Sequence, residues 1–456
     1  MSRSLSEFAR DCAGVLQGPD AAFTSVCTDT RKLARDQLFV ALDGPNFHGS
    51  DFLTQAAAIG AAGAVADRAG PASLPTIVVA NGLVALQRAA QAYRSRHLLP
   101  VVAVAGSNGK TTTKEMLAAI LSQQGPTLAT RGNLNNHIGV PLTLLDLLPV
   151  HRFAVIEMGA NRPGDVAELA GFAQPAVGIV TNAGAEHLEG FGTIEGAARA
   201  EGELFAALGA EGVAVVNADD EFAPLWREMT VAKIITFGLG AKADFSARDI
   251  RASVEAQGFV TRFTLRAPQG EIAIVLHLAG RHNVLNALGA AAAAVAAGAT
   301  LADVAAGLAR MRAVAGRLQW RAALQGASLI DDSYNANPSS MHAAIDVLES
   351  IEGRRWLVMG DMAELGTHAV DAHIEAGRYA RAHGVEKLFA IGALTPHAVK
   401  AFGAGAVWFP DVASLSSTVA AGLSPAVRVL VKGSRMNRLE RVVDALVTAP
   451  PAARSA

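Results

Sequence analysis

The sequence predicts an α/β protein of three domains built on mostly parallel sheets, and three observations carry that expectation. The apolar run Val101-Val102-Ala103-Val104-Ala105 enters a glycine turn and then a segment of helical spacing. From about 98 to 312, apolar runs of strand length alternate with helical patterns, as strand–helix–strand units do. After Val314-Ala315-Gly316-Arg317-Leu318 the alternation restarts, which places a boundary near 312. A chain of 456 residues agrees with about three domains.

Residues 1–97 read as a small α/β N-terminal domain. A short strand at 38–42 leads through Gly44-Pro45-Asn46-Phe47-His48-Gly49 to a helix at 52–61. Strands at 63–66 and 76–79 and a helix at 83–93 follow. Thr28, Asp29, Thr30 and Arg31 offer hydroxyls, a carboxylate and a guanidinium suited to a phosphate or a polar ring. They serve equally well as turn and capping residues.

Residues 98–312 read as a central domain with strands at 101–105, 153–157, 177–181, 213–216 and 234–237. Antiparallel strands over 244–278 are expected as an appendage of that sheet. The Ala/Gly-rich run 287–299 is shorter than the ~18 residues of a membrane span and reads as a tightly packed interior helix.

The turn Gly106-Ser107-Asn108-Gly109-Lys110-Thr111-Thr112 joins a strand to a helix start, where converging N–H groups and the helix dipole favour anions. Lys110 adds a full charge for phosphate oxygens, and the Thr111 hydroxyl suits Mg²⁺. The pattern G-x-x-x-x-G-K-[ST] asks for glycine where Val104 stands. The shorter Gly106-x-x-Gly109-Lys110-Thr111 remains and predicts nucleotide phosphate binding in a P-loop-type, mostly parallel sheet.

Ligands of such sheets sit beyond the strand C-termini. Glu157 follows one strand and His187 another. Thr111 and Glu157 are plausible oxygen ligands of one Mg²⁺, with a surface carboxylate as the alternative for Glu157. His187 is open to a structural or a functional reading. Asn283 and Asn286, three apart at a helix start, suit a base edge, and Asn283 equally suits a helix cap.

Residues 313–456 show strands at 327–331, 355–359, 387–391 and 427–431, a smaller C-terminal Rossmann-like α/β domain. It lacks G-x-G-x-x-G, so NAD is not expected. Polar clusters again follow strands: Asp331-Asp332-Ser333-Tyr334-Asn335-Ala336-Asn337-Pro338, Gly360-Asp361-Met362-Ala363-Glu364-Leu365-Gly366, and Lys432-Gly433-Ser434-Arg435. Pro338 marks a helix start.

A net charge of −2 argues against a nucleic-acid partner held by bulk charge. Cys12 and Cys27 are the only cysteines, which favours a reducing, cytoplasmic setting. Neither a signal peptide nor membrane insertion is expected.

Taken together, Gly106-Ser107-Asn108-Gly109-Lys110-Thr111-Thr112, Asn133-Leu134-Asn135-Asn136-His137-Ile138-Gly139-Val140-Pro141, Glu157-Met158-Gly159-Ala160, Asn182-Ala183-Gly184-Ala185-Glu186-His187 and Arg281-His282-Asn283-x-x-Asn286 resemble the Mur ligases, ATP-dependent amide-bond enzymes of peptidoglycan synthesis. The run from Asp331 through Met341, with Gly360-Asp361-Met362-x-Glu364-Leu365-Gly366 and Lys432-Gly433-Ser434-Arg435, is similar to the branch that joins D-Ala-D-Ala to UDP-MurNAc-tripeptide.

The resemblance implies a first domain that holds the uridine diphosphate end through Thr28, Asp29, Thr30 and Arg31. Asn135, Asn136 and His137 would face the sugar–phosphate region. Thr111 and Glu157 would hold one Mg²⁺ and His187 a second. Asn286 would read adenine, Arg317 would meet the γ-phosphate and Asp332 the ribose. Asn335, Lys432 and Arg435 would face the dipeptide on a third domain that closes over ATP. A monomer is expected.

Many Mur ligases place a carbamylated lysine where Glu201 stands. The resemblance therefore implies that Glu201 supplies the negative charge near the second Mg²⁺; an ordinary helix carboxylate is the alternative. Rival expectations are another ligase of the superfamily, such as a folylpolyglutamate synthase, and a P-loop switch or scaffold without ligase activity.

Overall fold

The computed structural model describes residues 3–185, 188–240, 242–255 and 258–448. The first unit is a five-stranded sheet in the order Val15–Gln17, Thr76–Val78, Gly63–Ala66, Leu38–Val40, Val26–Cys27, parallel except at its first strand. Helix Leu5–Cys12, which the periodicity did not reveal, is only eight residues long. The Ser4 hydroxyl caps it by accepting from the Glu7 N–H at 3.2 Å. Helix Gly82–Arg94 joins this unit to the next: buried Arg94 donates from Nε to the Ala173 carbonyl at 2.8 Å.

The second unit is a six-stranded, wholly parallel sheet. Its order is Lys233–Phe237, Val213–Asn217, Val177–Val180, Val101–Ala105, Phe153–Glu157, Thr127–Ala129. Val101–Ala105 and Phe153–Glu157 are buried at every residue, as strands covered on both faces must be, so their sequences are near-continuous apolar runs. Helix Arg281–Ala296 covers one face. A Cβ at Gly289 would come within 2.8 Å of Ile179 and 3.0 Å of Phe237, and that close approach accounts for the small residues of this helix. Thr127–Ala129 was not among the expected strands; it is three residues long and lies at the sheet edge.

The expected antiparallel strands are present, as a small sheet joined to the parallel one rather than as further strands of it. Ser246–Glu255, Gly258–Ala267 and Gly270–Leu276 form a sheet of their own, meeting the parallel one through the bridge Phe237–Phe245. Antiparallel ladders pair these strands with one another, and Phe263, Leu265, Ile274 and Leu276 supply an apolar face that packs with Val304 and Leu308 of helix Leu301–Arg310.

The third unit is a six-stranded sheet in the order Gln319–Ala322, Ser328–Asp332, Val427–Lys432, Arg354–Gly360, Lys387–Ile391, Ala406–Phe409, parallel except for the first strand. The two edge strands escaped the sequence reading. Helix Pro338–Glu349 starts as expected, with Asn337 as its cap and Ser340 completing a capping box.

Candidate active site

A cavity of about 640 Å³ opens where the strand ends of the second and third units face each other. Gly106 and Gly109 take the positive φ values, 119° and 83°, that the turn requires. A Cβ on Gly109 would lie 2.5 Å from Asn286 Oδ1, so glycine is needed there for close approach. The loop is tied down by its neighbours. Ser107 N–H donates to the Asn182 carbonyl at 2.8 Å, and Gly184 N–H to Ser107 Oγ at 2.9 Å. Lys110 Nζ folds back onto the Gly106 and Ser107 carbonyls at 2.5 and 3.2 Å, at the cavity wall.

Glu157 ends its strand inside this cavity and is buried. Asn135 Nδ2 donates to Glu157 Oε1 at 2.9 Å, while Oε2 is buried with no hydrogen-bond partner among the described residues. An orphaned carboxylate oxygen and the Thr111 hydroxyl, both on the wall of this cavity, are oxygen donors suited to a hard cation, so the residues present fit Mg²⁺. A chain of contacts aims Glu157. Lys114, wholly buried in helix Lys110–Leu121, donates to the Thr130 carbonyl at 2.7 Å, and Thr130 Oγ1 accepts from Glu157 N–H at 3.0 Å. Sequence reasoning gave Lys114 no role; a lysine at an apolar helix position was the available signal.

The third unit closes the other wall. Arg317 Nη2 donates to Thr111 Oγ1 at 3.1 Å, with its guanidinium 4.5 Å from the centre of the Tyr334 ring. Asp332 Oδ1 accepts from Leu318 N–H at 3.0 Å, and its Oδ2 meets Lys432 Nζ at 2.6 Å. Lys432 also donates to the Asn335 carbonyl at 2.9 Å. Half-buried His282 lines the cavity, and loss of solvation pushes its imidazole below the usual histidine range, towards the neutral form.

Ser107, Asn108, Gly109, Lys110, Thr111, Thr112, Asn135, Asn136, Glu157, Asn286, Arg317, Asp332, Asn335 and Lys432 thus share one cavity. Asn283 also lines it but is not the helix cap: Gly280 holds that position, and Asn283 Nδ2 reaches back to the Ala279 carbonyl at 2.7 Å. Asn136 Oδ1 accepts from the Ile138 and Gly139 N–H groups, at 3.1 and 2.9 Å. His137 turns away and lies 2.7 Å from Glu168. Exposed Arg435 lies 3.7 Å from Glu440 and outside the cavity lining.

Thr28, Asp29, Thr30 and Arg31 stand apart on the first unit. Arg31 makes a bidentate contact with Asp29, at 2.9 and 2.8 Å, and its hydrogen bonds bring the Asp29 carboxyl down to about 2. Glu201 lies behind the loop, buried, its Oε2 accepting from Gly106 N–H at 2.7 Å. His187 lies outside the described residues.

The model described as "Mur ligase middle domain" matches residues 104–294, and "Mur ligase, glutamate ligase domain" matches residues 316–435. The chain is 42% identical over 450 residues to the UDP-N-acetylmuramoyl-tripeptide–D-alanyl-D-alanine ligase of Escherichia coli (strain K12), covering 98% of each. The chain belongs to the Mur ligase family.

Solved structures place its fold in the same company. MurF from Acinetobacter baumannii is similar with a TM-score of 0.91 at 34% identity, over 97% of this chain and 98% of that one. MurF from Thermotoga maritima in complex with ADP gives a TM-score of 0.79 at 27% identity, over 92% and 96%.

Proposed function

We propose that this Mur ligase joins D-alanyl-D-alanine to UDP-MurNAc-tripeptide with ATP, giving UDP-MurNAc-pentapeptide, ADP and phosphate. The observation that carries the reading is the Arg317–Thr111 contact, which brings a cation of the third unit onto the phosphate loop beside Glu157 and Asp332. The switch or scaffold reading has no comparable support among the relatives.

In the first step a carboxylate oxygen of the tripeptide attacks the γ-phosphorus in line. The bond to the bridging β–γ oxygen breaks, and ADP leaves. Lys110, the loop N–H groups and Arg317 hold and neutralise the phosphates. The dipeptide amine, as the free base, then attacks the acyl carbon of the acyl phosphate, forming the amide and releasing phosphate. Mg²⁺, held by Thr111 and Glu157 with His187 at a second ion, would supply charge neutralisation of the phosphate oxygens. Asn286 is assigned to adenine and Asp332 to the ribose; Lys432 supports Asp332 and Asn335 at the dipeptide side. Thr28, Asp29, Thr30 and Arg31 are assigned to the uridine diphosphate end. Domain roles follow: 1–97 for the UDP end, 98–312 for ATP, and 313–456 for the dipeptide and closure.

Action as a monomer is part of this proposal. No helix among the described residues is long and apolar enough to cross a membrane. A cytoplasmic setting is proposed because both the nucleotide-linked substrate and ATP are found there. ADP release measured with UDP-MurNAc-tripeptide, with and without D-Ala-D-Ala, tests the function. Release that depends on both is expected; nucleotide hydrolysis indifferent to the dipeptide would overturn it.

A further inference from the structure

Three side chains form a closed ring between the phosphate loop and the third unit. Asn108 Nδ2 donates to Ser339 Oγ at 3.0 Å, and Asn337 Nδ2 donates to Asn108 Oδ1 at 2.9 Å. Ser339 Oγ completes the ring by donating to Asn337 Oδ1 at 3.2 Å. Each residue gives one bond and accepts one, all in the same sense, so the bonds polarise one another.

The ring is anchored at both ends by independent contacts. The Asn108 backbone is held by the second unit: its N–H donates to Asn182 Oδ1 at 3.0 Å, and its carbonyl accepts from Thr181 Oγ1 at 2.6 Å and Asn182 Nδ2 at 2.9 Å. Asn337 caps helix Pro338–Glu349, its Oδ1 accepting from Ser340 N–H at 2.9 Å. The segment just before that cap carries Tyr334 and Asn335 into the cavity.

We propose that this ring is a closure latch, with Asn337 and Ser339 as positioning residues that seat the third unit on the phosphate loop for reaction. The proposal rests on the ligase reading above. Ring bonds exist only while the two units touch, so they favour the closed arrangement over the open one. Ser339 is solvent-exposed, so water replaces its bonds at small cost on opening. The bias is therefore modest and reversible, as a step repeated in every turnover requires.

Two variants test the latch on the full chain. Ser339→Ala removes the ring hydroxyl and leaves the Asn337 cap. Asn337→Ser keeps a capping oxygen but cannot reach Asn108. Each is expected to lower kcat for ligation by roughly 3- to 10-fold with less than about a twofold change in the ATP KM. Small-angle scattering with a non-hydrolysable ATP analogue should show a larger radius of gyration in each. The double variant should be no slower than the worse single one, because one broken link opens the ring. Wild-type kcat and scattering in both variants, or losses that multiply in the double, would overturn the latch. Melting temperature identifies a variant that fails to fold, and Ser339→Ala, at an exposed site, then decides. If the wild-type chain failed to ligate at all, the ligase reading would fall, while the scattering comparison would still judge the latch.

Discussion

Asp332 and Lys432 end two neighbouring parallel strands in register, with the Lys432 ammonium 2.6 Å from the Asp332 carboxylate. Both are buried. A buried pair adds little over apolar residues, but loss of one partner strands the other charge without water. Lys432→Met is therefore expected to lower unfolding stability by about 3–5 kcal/mol in urea titrations. The double variant with Asp332→Asn should recover part of that loss. An unchanged midpoint for Lys432→Met would show that the pair does not hold this edge of the sheet.

Glu157 has one oxygen engaged by Asn135 and one with no partner among the described residues. Glu157→Gln keeps an acceptor for Asn135 and removes the charge. Ligation should fall by roughly 10²- to 10³-fold with a rise in the Mg²⁺ concentration needed for half-maximal rate. Melting temperature should change little. Ligation at the wild-type rate and Mg²⁺ dependence would remove Glu157 from the metal site.

Glu201 grips the Gly106 N–H from behind the loop. Glu201→Gln preserves that acceptor, so any change reports the charge alone. Initial rates measured across Mg²⁺ concentrations should show a weaker response to Mg²⁺ in the variant. Coincident curves would leave Glu201 as a loop anchor only. Glu201→Ala should damage ATP binding in either case, because a buried N–H then loses its partner.

His373 is wholly buried. Nε2 accepts from Met362 N–H at 3.0 Å and Nδ1 faces the Ala369 carbonyl at 2.6 Å. Burial pushes the imidazole below its ordinary value of 6.5, with the Ala369 hydrogen bond and Asp361 opposing. The unfolded chain thus takes up a proton that the folded chain refuses. Stability is complete above about 6.5 and declines as pH falls from there towards the depressed folded value. Urea midpoints should be flat above neutrality and drop in mild acid. His373→Gln, less stable at pH 8, should show a shallower drop; parallel curves would assign the acid sensitivity to other groups, such as His282.

The strands bearing the site were legible because they are buried on both faces and written as apolar runs. Thr127–Ala129, Gln319–Ala322 and Ala406–Phe409 were not, being short edge strands that are incompletely buried. The cavity residues were legible for a related reason: a parallel sheet delivers the residue at the end of each strand to one edge, which is where Glu157 and Asp332 line the cavity. Arg435 reads as well as Lys432 in sequence. Yet Lys432 closes its strand inside the sheet, whereas Arg435 lies in a short exposed 3₁₀ turn beside Glu440.

By itself the amino-acid order determined the parallel architecture and the glycine turn at the helix start, since both follow from local spacing and backbone freedom at glycine. Only the tertiary structure decided which groups meet: Arg317 with Thr111, Asp332 with Lys432, Asn108 with Asn337 and Ser339. The Arg317 and Asn108 partners lie more than two hundred residues apart in the chain. Such pairings depend on strand register and on how one unit seats against another, and no local pattern encodes either.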